Sequence, residues 1–155
     1  MMAVPVKYST TISAAQTAAE MQALLAERGA RRIAIDYDQD AVPNAIEFTL
    51  ETPHGQRSFS LQVDADRMEQ LLAREEAAGR LKAGSRAERT SRAQAERVAW
   101  RVMKTWLEAQ LSLVDAALID MDQALFPFLR TAPDKTLFEV YRERESLALD
   151  GGMSS

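Results

Sequence analysis

Apolar residues recur along this chain with two periods, and the switches between them divide it into elements. Over residues 14–28, Ala18, Met21, Leu24 and Leu25 recur at helical spacing. Ser13 precedes them as an N-cap, and Gly29 supplies the left-handed residue that stops a helix. The period then changes to two. Ile33, Ile35 and Tyr37 alternate within residues 32–38, Ile46, Phe48 and Leu50 within 45–52, and Phe59, Leu61 and Val63 within 57–63. The residues between them are polar (Glu47, Thr49, Glu51, Ser58, Ser60, Gln62), so the pattern predicts a sheet with one buried and one wet face. Connections at 39–44 and 53–56 are short, and the second carries the turn chemistry of Pro53-His54-Gly55. An antiparallel meander follows.

Helical spacing returns after Asp64, a second N-cap, with Met68, Leu71 and Leu72 on the inner side of a helix over 65–78. Gly79 and Gly84 bracket a break, and 80–89 reads as an exposed, mobile connection. Residues 90–118 form the longest periodic stretch, opened by Thr90 or Ser91. Its first half is basic and its second half, with Leu107, Leu111, Leu113, Val114 and Leu118, is apolar on most sides. Such a helix needs cover from other elements and is expected to be the central post of the domain. Its apolar residues fall on two stripes. One holds Ala95, Ala99, Val102, Trp106, Leu113 and Ala117 and is expected in the core; the other holds Trp100, Met103, Leu107, Leu111, Val114 and Leu118. Asp120 caps a short helix limited by Pro127, and a last helix is expected over 136–147.

The fold class is therefore α+β: a helix, a three-stranded antiparallel meander, a second helix, a long helix and two shorter ones. Residues 1–12 read as a loose arm with a short extended piece at 8–12. Residues 13–149 read as one domain (an αβββα part at 13–79, a basic connection at 80–90, a helical part at 90–149), and 150–155 as a disordered tail. At 155 residues, 46% of them hydrophobic, the chain can bury a core without staples. The absence of cysteine excludes disulfides, thiolate metal sites and cysteine nucleophiles. No signal-peptide-like start is present and no apolar run nears the ~20 residues of a membrane span, so a cytoplasmic location is expected.

Charge changes the picture through its distribution. Residues 80–104 hold eight basic and two acidic residues, net +6, which leaves −10 for the rest of a chain whose total is −4. Arg97, Arg101 and Lys104 share one helix face, and Arg86, Arg89 and Arg92 lead into it. These six residues are the candidate contacts to nucleic acid, to a nucleoprotein complex or to another partner, because such a strip can neutralise several phosphates. No interleaved aromatic offers a base-stacking platform, so contacts would be with the backbone. The plain alternative is a solvated helix face whose arginines pair with the acidic body. Both stripes are expected to be covered within the monomer, because the apolar string around Phe126 and Phe128 needs somewhere to pack; the alternative is that Trp100, on the second stripe, contacts a protein partner or a second copy in a homodimer.

Asp36, Asp38, Asp40 and Glu47, with Asn44 between, have the spacing of calcium-loop ligands. Ala41 stands where that loop needs glycine, however, and the flanks read as strands. An acidic hairpin is the simpler reading. No cofactor motif occurs, and the single histidine, His54, sits in a turn. Asp120 and Asp122 are close in sequence, but the first reads as a cap. No catalytic residue is assigned. The segment Gln94-Ala95-Glu96-Arg97-Val98-Ala99-Trp100-Arg101, continuing through Trp106-Leu107-Glu108-Ala109-Gln110-Leu111 to Phe126-Pro127-Phe128-Leu129, resembles small uncharacterised phage and prophage proteins. That resemblance implies a small accessory protein acting on replication, recombination or host-defence machinery, and it carries over no site residues. The expected function is a non-catalytic accessory protein binding through the basic segment. The alternative is a protein-only inhibitor or adaptor docking through its acidic body or an apolar stripe, with a carboxylate-based enzyme third.

Overall fold

The computed structural model describes residues 7–82 and 84–153. The chain is α+β, and its elements run α1 (Ala14–Glu27), β1 (Arg32–Tyr37), β2 (Pro43–Thr52), β3 (Gly55–Gln62), α2 (Ala65–Ala77), α3 (Arg86–Arg89), α4 (Arg92–Asp115) and α5 (Met121–Ala124). A 3-10 turn (Phe126–Phe128), β4 (Arg130–Ala132), β5 (Lys135–Thr136) and α6 (Leu137–Met153) complete it. No helix among the described residues is long and apolar enough to cross a membrane.

The first three strands form an antiparallel sheet in the order β1-β2-β3. Alternation works as expected on its central strand and on β3: Ile46, Phe48, Leu50, Phe59 and Leu61 are all buried, with Phe48 and Phe59 stacked at 5.8 Å between ring centres. Helix α1 packs on β2 and α4, and α2 packs on α4, so α4 lies between the other helices as a post. Ser13, Asp64 and Ser91 each accept a backbone N–H in the first turn of their helices, as N-caps do.

Several expectations are corrected. Tyr37 does not continue the inner row of β1; the register shifts between Asp36 and Tyr37, and its ring is 60% exposed on the edge strand. Ser60, expected on the wet face, is buried where the Leu129 backbone bridges to Phe59. In α4 both stripes are buried toward the N-terminal side and both open toward the C-terminal end, where Leu113 of the first and Leu118 of the second are exposed. Trp100, Leu107 and Leu111 are buried with Ala95, Val98 and Ala99, whereas Trp106 is half-buried against the edge of Phe128. The post is also less fully covered than its composition suggests, since Leu113, Leu118 and Phe126 remain exposed around its C-terminal end.

Residues 7–12 are not loose, because Gln94 Nε2 donates to the Tyr8 and Thr10 carbonyls at 2.6 and 3.1 Å. They form a turn rather than a fourth strand, and residues 1–6 of the expected arm lie outside the described residues. The connection after α2 contains α3, capped reciprocally by Ser85 and Glu88. The β4–β5 hairpin had no periodic signal, because strands of three and two residues are too short to show one. Helix α6 runs through Asp150 to Met153, where a disordered tail was expected; each glycine costs a helix about 1 kcal/mol but does not break it as proline would. Residues 154–155 of that tail lie outside the described residues.

Three helices share one ending. In α1, α2 and α4 the backbone N–H groups of Ala30, Arg80 and Leu118 reach back to the Leu25, Glu75 and Leu113 carbonyls, each at 3.0 Å. The residue before each donor is left-handed, as this closure requires. Glycine fills that position after α1 and α2, but after α4 it is Ala117, at φ 59°. A Cβ is penalised there. Ala117→Gly is therefore expected to raise stability by about 1 kcal/mol, read as a higher urea midpoint with unchanged slope.

Candidate functional site

The basic segment divides into paired and unpaired cations. Arg80 grips Glu75 through two bonds of 2.6 and 3.1 Å, and Arg89 grips Glu76 through two of 2.6 and 2.8 Å. Arg92 binds Asp66, Glu69 and Glu96 together, which raises its own pKa further above the ordinary arginine value. Arg101 donates to Glu20 at 2.8 Å, and Lys104 lies 3.5 Å from Glu20 and 3.6 Å from Glu108. These five are committed to carboxylates, so no continuous positive strip runs along α4. Of the expected contacts, Arg89, Arg92, Arg101 and Lys104 are each paired with a carboxylate of the chain, Arg97 is not, and Arg86 is unpaired among the described residues but outside the lining of the cleft described below.

Arg97 differs. Its Nε and Nη2 donate to Gln94 Oε1 at 2.9 and 2.7 Å, a neutral amide, so its charge is not offset. Lys82, Arg86 and Lys7 likewise make no ion pair among the described residues. Arg97, Lys82 and Lys7 converge with Arg80 and Arg89 on one cleft of about 640 Å³ between the N-terminal arm and the connection from α2 to α4. Tyr8, Gln94 and Glu88 line it too. Glu75 and Glu76 neutralise Arg80 and Arg89, while Lys7, Lys82 and Arg97 carry no paired carboxylate among the described residues; Glu88, whose carboxylate accepts the Ser85 backbone N–H, lowers the net charge of the lining without pairing with any of them.

Each wall has a local cause. The arm is tied to α4 by Gln94, which is 7% exposed. Ser91 and Gln94 have capping-box spacing, yet the Gln94 amide does not turn back on its own helix; it bridges the arm and Arg97. The opposite wall is held by Arg80 on Glu75 and by Arg89, whose Nη1 also donates to the Gly84 carbonyl at 2.6 Å. Sequence reasoning left Lys82 out of the six expected contacts and missed Gln94, Lys7 and Tyr8. A glutamine three residues after the Ser91 cap, beside the buried Ala95 and Val98, was the one signal available for Gln94.

The guanidinium groups of Arg80 and Arg89 hold the Glu75 and Glu76 carboxyls below their ordinary value of 4.5. A depressed carboxylate stabilises the fold fully above its unfolded pKa, and the contribution fades as pH falls through the lower folded value. Both anchors are thus expected to persist from pH 8 down to 4.5 and to release below it. The side-chain Nε–H resonances of Arg80 and Arg89, followed by NMR during acidification, check this.

The other candidates come apart. Trp100 is 1% exposed, and its indole N–H donates to the Pro43 carbonyl at 2.7 Å, so it touches no partner. Asp38 Oδ1 accepts the Asp40 and Val42 backbone N–H groups, and Glu47 pairs with Arg130 at 2.8 Å. The weak calcium set of Asp36, Asp38, Asp40 and Glu47 is therefore a hairpin turn, with Ala41 left-handed at φ 60°. No group among the described residues is arranged to hold a metal ion. His54 is 74% exposed in its turn, 3.7 Å from Asp122. Comparison with protein-family models, with curated proteins and with solved structures gave no match to this chain.

Proposed function

We propose that the protein is a non-catalytic accessory factor that binds a phosphate-bearing polyanion, a nucleic-acid segment, in the cleft between its N-terminal arm and the α2–α4 connection. The observation that carries this reading is the convergence of Lys7, Lys82 and Arg97, none of them paired with a carboxylate, on one concave surface. Unpaired cations are free to release counterions when they meet phosphate, which is where such affinity comes from. The paired arginines around them set the shape of the cleft and add little to its charge. With Tyr8 the one aromatic among the described residues of the lining, recognition is of backbone rather than of base sequence. If the resemblance of residues 94–129 to phage and prophage proteins holds, it would place such a factor with replication, recombination or host-defence machinery.

The test is binding of short fluorescent single- and double-stranded DNA and RNA at low salt. Association with little dependence on base sequence is the expected result. Failure of every oligonucleotide to bind at low salt ends this reading.

A further inference from the structure

Helix α6 leaves the body after its first turn. Its packing is chiefly against the 3-10 turn and β5, and every residue from 141 to 151 is exposed. The side that faces the body is marked by hydrogen bonds: Glu139 accepts from Thr136, and Glu143 accepts from Lys135 Nζ at 2.7 Å. Around the helix from that side lie Phe138, Arg142, Glu145 and Leu149. Their separations of four, three and four residues put them on one stripe, the spacing of a two-helix seam. Phe138 is 49% and Leu149 69% exposed, so both ends of the stripe are open to a second helix. Arg142 and Glu145 make no ion pair among the described residues; the Arg142 guanidinium lies 5.7 Å from the centre of the Phe138 ring.

The stripe is complementary to itself in one orientation only. Two copies laid antiparallel place Phe138 against the partner's Leu149 at both ends. Arg142 then meets the partner's Glu145 twice in the middle. Laid parallel, the same stripe sets arginine on arginine and glutamate on glutamate. An isologous two-fold contact needs this kind of self-complementarity, and it repeats each pair twice. We infer that α6 is the docking element for a second copy of this chain, joined as an antiparallel helix pair about a two-fold axis between Glu143 and Arg144. Val140 and Leu147 lie off this seam. The helix is about 25 Å long, enough for four layers, so the dimer is weak and concentration-dependent. The inference does not depend on what the cleft binds.

Sedimentation of the full chain over a concentration series tests it. The expected result is a species of 17.2 kDa at low concentration that gives way to one of twice that mass. Arg142→Glu sets like charges together at both symmetric positions and is expected to weaken the dimer about tenfold or more. Glu145→Arg alone does the same, while the double exchange Arg142→Glu with Glu145→Arg restores the original constant. Both residues are solvent-exposed, so folding is not at issue. A monomer at every concentration overturns the inference. So does a dimer that ignores the single reversals, or one that the double exchange fails to restore.

Discussion

Replacing Trp100 with alanine is expected to lower stability by about 3–5 kcal/mol, the cost of emptying a large buried site that cannot fully collapse. Most domains have only about 5–15 kcal/mol in total, so the loss is a large fraction of the stability and is expected to bring the urea midpoint down markedly. The side chain joins α4 to the start of β2, because its ring is buried and its indole N–H satisfies the Pro43 carbonyl. Alanine removes both the contact area and the donor. Trp100→Phe keeps most of the area and loses only the hydrogen bond, with an expected cost of about 1–3 kcal/mol. Urea unfolding followed through Trp106, which remains in both variants, measures the two and separates packing from hydrogen bonding.

The second large effect concerns binding. Arg97→Gln and Lys82→Gln are each expected to remove one phosphate contact, lowering affinity for a short single strand about tenfold at low salt and the steepness of its salt dependence by about 0.7. Arg92→Gln is the informative contrast. Its guanidinium already serves Asp66, Glu69 and Glu96, so its loss is expected to cost stability and leave binding nearly unchanged. A simple belt of positive charge would make all three variants equivalent. Anisotropy titrations on folded protein distinguish the two outcomes.

How much of this was legible beforehand follows from the range of each interaction. The caps at Ser13, Asp64 and Ser91, the stop at Gly29 and the alternation through β2 and β3 are local, and local patterns are written in adjacent residues. The cover on α4 was not, because a helix with two adjoining apolar stripes does not say how far along each its neighbours reach. Trp100 is buried with its indole N–H on the Pro43 carbonyl of β2, and Trp106 is half-buried against Phe128. The site was legible only as a surplus of charge. What divides that surplus is pairing across long stretches of chain: Asp66 and Glu69 reach Arg92 from α2, and Glu20 reaches Arg101 from α1. Counting residues between 80 and 104 could not reveal which cations would be neutralised. Nor could it bring in Lys7, which joins the cleft because Gln94 holds the arm against α4.

The dependence of binding on salt tests the cleft most directly. With Lys7, Lys82 and Arg97 each releasing counterions, the logarithm of the association constant for a short single strand is expected to fall with the logarithm of salt concentration at a slope of about −2. Binding with a slope near zero would contradict the cleft as a phosphate site, whatever its affinity.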